Sequence, residues 1–137
     1  MNVLYEIKSS AQGGRAGHVV SEDGVLDLQL AVPKGLGGPG GAKPNPEMLF
    51  SAGYAACFEG AMGYVAGQRK IKLGAARVDC TVGIGPREGG FAIRAKIEVS
   101  LPDLPREEAQ ALIEAADLVC PYSHAIRGNI EKELVLL

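Results

Sequence analysis

The chain has 137 residues, 47% of them apolar and 22% charged, which suits a single globular domain spanning 1–137 and excludes a disordered tail. Its 14 Lys and Arg against 16 Asp and Glu leave a formal charge of -2, too balanced for binding nucleic acid or an anionic membrane through bulk charge. The longest strongly apolar stretch without a charge, Met48 to Phe58, has 11 residues, whereas a membrane-spanning helix needs about 20.

Residues Val3 to Lys8 alternate as a half-buried strand does, with Val3, Tyr5 and Ile7 on one face. A turn follows at Gly13-Gly14, then a short run ending at Val19-Val20. Asp23-Gly24 lies between this run and Val25 to Val32, a hairpin signal because both turn residues tolerate positive φ. The first third thus predicts a small antiparallel sheet. Pro33 to Pro44 holds five glycines and three prolines and cannot be a regular element. It is no phosphate-cradling loop, since Pro44 follows Lys43 where such a loop needs Ser or Thr; a mobile crossing loop or a lid fits better.

Asn45-Pro46-Glu47 marks a helix start: an N-cap acceptor, a proline whose missing N–H costs nothing at the first position, and an acid at the positive end of the dipole. The helix is expected to reach about Ala66. Gly53, Ala56, Gly60, Gly63 and Gly67 form one stripe of small residues down it. A helix apolar nearly all round must be covered on every side, which places it in the middle of a dimer. Ala75 to Ile84 and Phe91 to Leu101 read as strands around a turn at Gly85 to Gly90. Pro105, Glu107 and Glu108 open an amphipathic helix with Ala109, Leu112, Ile113, Ala116 and Val119 inward. Pro121 ends it, a short helical turn runs to Arg127 with Gly128 behind it, and a last strand covers Ile130 to Leu137. There is no internal repeat. With no basic start followed by an apolar run, no secretory signal is visible, and a cytoplasmic location is expected.

Three cysteines, an odd count, argue against a disulfide framework and raise the question of a reactive thiol. Cys57 lies mid-helix, where a free cysteine commonly packs as a small hydrophobe. Cys80 lies on the apolar face of a strand. Cys120 precedes a proline, which biases it out of helical geometry and sets its thiol at a break between helical segments. An interior cysteine and one on a helix break are what an attacking and a resolving thiol need, although three cysteines offer three pairs. An unperturbed thiol, with a pKa of about 8.5, is only a few per cent ionised at pH 7. A guanidinium at about 4 Å offsets up to about 4 kcal/mol at an effective dielectric of 20. Arg15, on the glycine turn, is the candidate, and Glu47 has a sufficient structural explanation as a helix-start acid. Cys120, His124 and His18 offer one loose pair at most, so no metal site is expected. No Gly-x-Ser-x-Gly elbow supports a serine hydrolase.

Taken together, Gly13-Gly14-Arg15, Asp23-Gly24-Val25-Leu26-Asp27, Leu36-Gly37-Gly38, Asn45-Pro46-Glu47, Ala52-Gly53-Tyr54-Ala55-Ala56-Cys57-Phe58 and Cys120-Pro121-Tyr122-Ser123 resemble the organic hydroperoxide resistance proteins of the OsmC superfamily. The likeness covers nearly the whole chain in order. It implies an α/β (α+β) fold, with antiparallel sheets around long central helices in an intertwined homodimer whose active sites lie at the subunit interface. The implied activity is a thiol peroxidase that reduces organic hydroperoxides to alcohols. In this reading the cysteine matching Cys57 attacks the peroxide, Arg15 and Glu47 orient and activate it, and Cys120 resolves the sulfenic acid as an intramolecular disulfide. No cofactor is bound; dihydrolipoyl dithiols on lipoylated proteins act as the external reductant. Met48, His124 and Ile126 stand where the family commonly has Gln, Asn and Thr, which bears on substrate preference. Met48, Phe50, Phe58 and Met62 supply apolar surroundings suited to an alkyl tail. Alternatives are a broader-specificity OsmC-type peroxidase, and a non-catalytic small-molecule-binding or redox-sensing module of the same fold. Glu47 and Cys57 are ten residues apart, about 15 Å along a straight helix, which predicts a composite site with Glu47 donated across the dimer and leaves the subunit that supplies Arg15 open.

Overall fold

A computed structural model describes all residues, Met1–Leu137. The chain divides into two compact units, Met1–Leu49 and Phe50–Leu137.

The first unit is built on an antiparallel sheet of β1 (Ser9–Gln12), β2 (His18–Ser21) and β3 (Asp27–Gln29), in that order. Gly13 and Gly14, both at positive φ, turn the chain between β1 and β2 into a single 3-10 turn, Gly14–Ala16. A Cβ on Gly17 would lie 1.8 Å from the Gln12 carbonyl oxygen, so only glycine lets the chain close here. The expected Asp23-Gly24 hairpin is present. Asp23 accepts from the Val25 N–H at 3.0 Å, Ser21 Oγ accepts from the Leu26 N–H at 2.9 Å, and Gly24 has φ 72. β3 is far shorter than the expected Val25 to Val32.

Val3 to Lys8 is not a strand. Val3, Leu4, Tyr5 and Ile7 are exposed, and only Lys8 is drawn in, its carbonyl accepting from the Glu22 N–H. The alternation is real, but a strand needs a neighbour to receive its N–H and C=O groups, and β2 ends at Ser21, opposite Ser9, so the residues before β1 have no strand beside them. The glycine-rich segment folds back on itself through a 3-10 turn, Lys34–Leu36, with the Gly40 N–H on the Val32 carbonyl and the Ala31 N–H on the Pro44 carbonyl. Asn45 then caps α1 (Pro46–Arg69) as expected, its Oδ1 accepting from the Met48 N–H at 2.9 Å.

The second unit holds the core. α1 runs one turn past the expected end and buries Tyr54, Phe58, Ala61, Met62, Val65 and Ala66. These pack with Ala95, Ile97 and Val99 of β5 and with Ala109, Leu112, Ile113 and Ala116 of α2. The opposite face of α1 is bare: Ala56, Gly60, Gly63 and Gly67 are exposed, and a Cβ on any of these three glycines would meet nothing within 4 Å. β4 (Arg77–Arg87) and β5 (Gly90–Ser100) form a long antiparallel hairpin. The turn is tighter than expected, Glu88-Gly89, with Gly85 to Arg87 still in the ladder.

α2 (Arg106–Val119) and α3 (Pro121–Ile126) follow, and β6 (Lys132–Leu136) closes the sheet in the order β4-β5-β6. β6 pairs with β5 in parallel, which corrects the expectation of purely antiparallel sheets. The connection from β5 carries two helices, and such a crossover returns the chain in the same direction. Val119 is the other correction, being 47% exposed. The buried stripe of α2 runs 109, 112, 113, 116 and then to Cys120, whose N–H still bonds the Ala116 carbonyl and whose side chain takes the inward position.

Candidate functional site

In the first unit, the glycine turn and the start of α1 bring Arg15 and Glu47 together. The guanidinium donates twice to the carboxylate, Nη1 to Oε2 at 2.8 Å and Nη2 to Oε1 at 2.6 Å. This two-point fork fixes the plane of the guanidinium, which a single contact would leave free to rotate. Glu47 is only 13% exposed and Arg15 39%. The Arg15 hydrogen bonds hold the Glu47 carboxyl below its ordinary range, against the opposing effect of burial, and its own backbone N–H adds to the lowering. The same bond raises the Arg15 pKa further. The residues taken alone give Glu47 only the role of a helix-start acid; the charge-assisted bond by which it fixes the Arg15 guanidinium enters with the family resemblance. Close by in the fold of this unit, His18 Nε2 lies 2.5 Å from Asp27 Oδ1 across the β2–β3 ladder.

In the second unit, Cys57 and Cys120 meet with their sulfurs 3.5 Å apart, although they stand 63 residues apart in the chain. α1 presents Cys57 beside its buried face. Cys120 sits between α2 and α3 with extended backbone, φ -65 and ψ 120, so the proline break does what its sequence context predicted. Cys120 is fully buried and Cys57 half-buried. Burial pushes the Cys57 thiol up; the backbone N–H of Tyr122 at the start of α3 pulls it down, and the neighbouring Cys120 raises it again. Cys80 lies apart on β4 and is pushed up to about 11 by burial alone, which leaves it a neutral, unreactive thiol at neutral pH.

The four expected apolar residues divide. Phe58 and Met62 have no exposed surface and belong to the core, because they follow Tyr54 at four and eight residues on the buried face of α1. In this chain they can support a site and cannot wall one. Phe50 is half-buried in an aromatic group, its ring 6.0 Å from Tyr54, edge to face, and 5.8 Å from Tyr122. Met48 is 53% exposed in the first turn of α1.

Two polar residues beside the cysteines carried no role in the sequence reading. Tyr54 Oη and Ser123 Oγ, both fully buried, are hydrogen-bonded at 2.8 Å. Their signal was available: Tyr54 precedes Cys57 by three residues and Ser123 follows Cys120 by three, the spacing that puts helix neighbours on one face.

Two free thiols in contact, one of them partly accessible, define a protein that carries a redox-capable cysteine pair. Comparison with known proteins places it more closely. The family model for OsmC-like proteins matches residues 38–135. An organic hydroperoxide resistance protein from Xanthomonas axonopodis pv. citri is 50% identical over 135 residues, covering 98% of this chain and 95% of that protein. The crystal structure of an organic hydroperoxide resistance protein from Elizabethkingia anophelis matches with a TM-score of 0.95 at 50% identity, covering 99% of this chain and 98% of that one. That of the organic hydroperoxide resistance protein OhrB of Bacillus subtilis matches at 0.89 and 43%, covering 98% of this chain and 100% of that one. The chain belongs to the OsmC/Ohr organic-hydroperoxide-resistance superfamily and has its mixed α/β fold with two sheets.

The Arg15–Glu47 pair has a pH signature. Glu47 has a folded pKa below its unfolded one, so the stability the pair contributes is present above about pH 4.3 and is lost as pH falls through the depressed folded value. In denaturant titrations, Glu47→Gln should be less stable than wild type above about pH 5, with the gap closing in more acid solution. A gap that persists unchanged into acid would show that the pair is not its source.

Proposed function

We propose that the protein is a thiol peroxidase that reduces organic hydroperoxides to alcohols. The observation that carries this reading is the 3.5 Å separation of the Cys57 and Cys120 sulfurs, a contact from which a small movement reaches the roughly 2.05 Å of a disulfide. The Cys57 thiolate attacks the terminal peroxide oxygen of ROOH; the O–O bond breaks, a proton goes to the leaving alkoxide, and ROH departs from a Cys57 sulfenic acid. The Cys120 sulfur then attacks the sulfenic sulfur, expelling water and leaving a disulfide, before further peroxide drives Cys57 to the irreversible sulfinic level. An external dithiol restores both thiols by exchange. We assign that role to dihydrolipoyl groups on lipoylated proteins, with no cofactor bound to the chain, and place the cycle in the reducing cytoplasm.

The thiol needs a cation. Burial pushes Cys57 up, and within its own unit only a backbone N–H draws it down. Arg15, its guanidinium plane oriented by Glu47, is the group assigned to this task, offsetting up to about 4 kcal/mol at 4 Å and an effective dielectric of 20. Met48 in the first unit carries surface that an alkyl tail can touch, as does Phe50 in the second, where Phe58 and Met62 lie in the core that Phe50 packs on, and this apolar character favours organic hydroperoxides over hydrogen peroxide.

The working form is a homodimer with the active sites at its interface. Three features support it: the bare glycine face of α1, the unpaired apolar residues Val3, Leu4, Tyr5 and Ile7, and a first unit whose buried apolar side chains amount to Leu30 alone. A 49-residue unit with so little core does not stand by itself. Glu47 and Arg15 then act on the Cys57 of the second subunit, and the 137 residues form a single domain completed by its partner.

Two measurements test this. One equivalent of cumene hydroperoxide should remove two free thiols from wild type, none from Cys57→Ser, and leave a trappable sulfenic acid in Cys120→Ser. Unchanged thiols in wild type would overturn the peroxidase reading. In mixed dimers of Cys57→Ser with Glu47→Ala, one intact site should form and part of the activity should return. Mixed dimers as inactive as either parent, beside re-formed wild-type controls, would overturn the shared site.

A further inference from the structure

We infer that Tyr54 and Ser123 are positioning residues for the cysteine pair: their buried hydrogen bond is a strut that holds α1 and α3 at the spacing from which Cys57 and Cys120 can join. The inference uses the redox pair of the proposed function but does not need peroxide to be its oxidant.

Pairing Tyr54 with Ser123 and Cys57 with Cys120 runs the two segments in opposite directions, with the two contacts as neighbouring rungs between them. One rung is polar and complete at 2.8 Å; the other is two sulfurs at 3.5 Å. Along α1 the rungs are three residues, about 4.5 Å, apart. At that separation a displacement of one rung is felt at the other. Nothing within Cys120 itself fixes its position relative to α1. Its N–H stays on the Ala116 carbonyl of α2 while its extended backbone turns into α3, so what anchors the first turn of α3 shares in placing the thiol against α1.

Ser123 is that anchor by its chemistry. It is fully buried, so its hydroxyl and the Tyr54 phenol have each other and no water to bond, and separating them leaves a desolvated polar group on both sides. Burial pushes the Tyr54 phenol up to about 12, so it stays protonated and able to donate. The approach is close by design of the sequence. Gly53 has no side chain where a Cβ would sit 2.8 Å from the Tyr122 Oη, and Tyr122 packs tilted on Tyr54 with ring centroids 5.7 Å apart. The strut thus pre-organises the reduced pair. Without it the dithiol samples wider separations, and closing the disulfide must first recover the lost order.

The test uses the full chain equilibrated with mixtures of reduced and oxidised dithiothreitol, without peroxide, counting free thiols at each ratio. Tyr54→Phe should lower the equilibrium constant for the Cys57–Cys120 disulfide about fivefold or more, the scale of one net hydrogen bond. Ser123→Thr, which keeps the hydroxyl, should hold the wild-type value. Val99→Ala, a core change on β5, should reduce stability without moving the constant, which separates positioning from a general loss of stability. A Tyr54→Phe value within twofold of wild type, or a fall matched by Val99→Ala, overturns the strut. If Tyr54→Phe does not fold, Ser123→Ala is read against the same limits. Should wild type form the disulfide in dithiothreitol but ignore hydroperoxide, the peroxidase reading fails and the strut stands. Should hydroperoxide consume two thiols while Tyr54→Phe keeps the wild-type constant, the strut fails and the peroxidase stands.

Discussion

A sulfur withdrawn from water loses the solvation that a thiolate depends on, and the rest of the molecule is arranged around that cost. Cys57 is half-buried on α1 with a second, fully buried sulfur 3.5 Å away, and both conditions favour the neutral thiol. In the proposed cycle the same burial protects the sulfenic acid and keeps the second thiol within reach. A free surface cysteine would ionise more readily and would have no partner waiting. In the proposed reaction the charge that restores ionisation comes from a permanent cation, the role assigned to Arg15, which is held by a two-point contact to a carboxylate that is itself held ionised by the contact.

Local chemistry was legible in the sequence wherever a few residues decide the outcome. Asn45-Pro46-Glu47 starts α1 because cap, proline and acid each satisfy a requirement of a helix N-terminus. Asp23-Gly24 turns a hairpin, and Pro121 breaks a helix, for equally local reasons. The break placed Cys120 correctly in kind, and the likeness to a known family joined it to Cys57. What the residues alone could not choose was which of three pairs of cysteines meets, since 63 residues of intervening chain are closed by packing rather than spacing.

The expectations that failed depended on partners distant in the chain. Alternation at Val3 to Lys8 gives a strand only if another strand accepts its hydrogen bonds, and β2 has already turned away at Ser21. β6 ended parallel rather than antiparallel because two helices, not a tight turn, lead into it. Phe58 and Met62 look like pocket residues beside a cysteine, yet helical phase turns them into the core. Tyr54 and Ser123 went unread for the opposite reason. A tyrosine among alanines and a serine in a short helical turn are unremarkable singly, and their meaning lies in facing each other one helical turn from each cysteine.

The ionisation of Cys57 is the point at which the chemistry stands or falls. Following the ultraviolet absorbance of its thiolate against pH, in the assembled protein carrying Cys120→Ser, gives that quantity directly, since burial pushes Cys80 up to about 11. With Arg15 in place, Cys57 should titrate below the ordinary thiol value of about 8.5, and in Arg15→Met above it. A Cys57 that titrates at the same pH with and without Arg15 would contradict the role given to the guanidinium and remove the nucleophile from the proposed reaction.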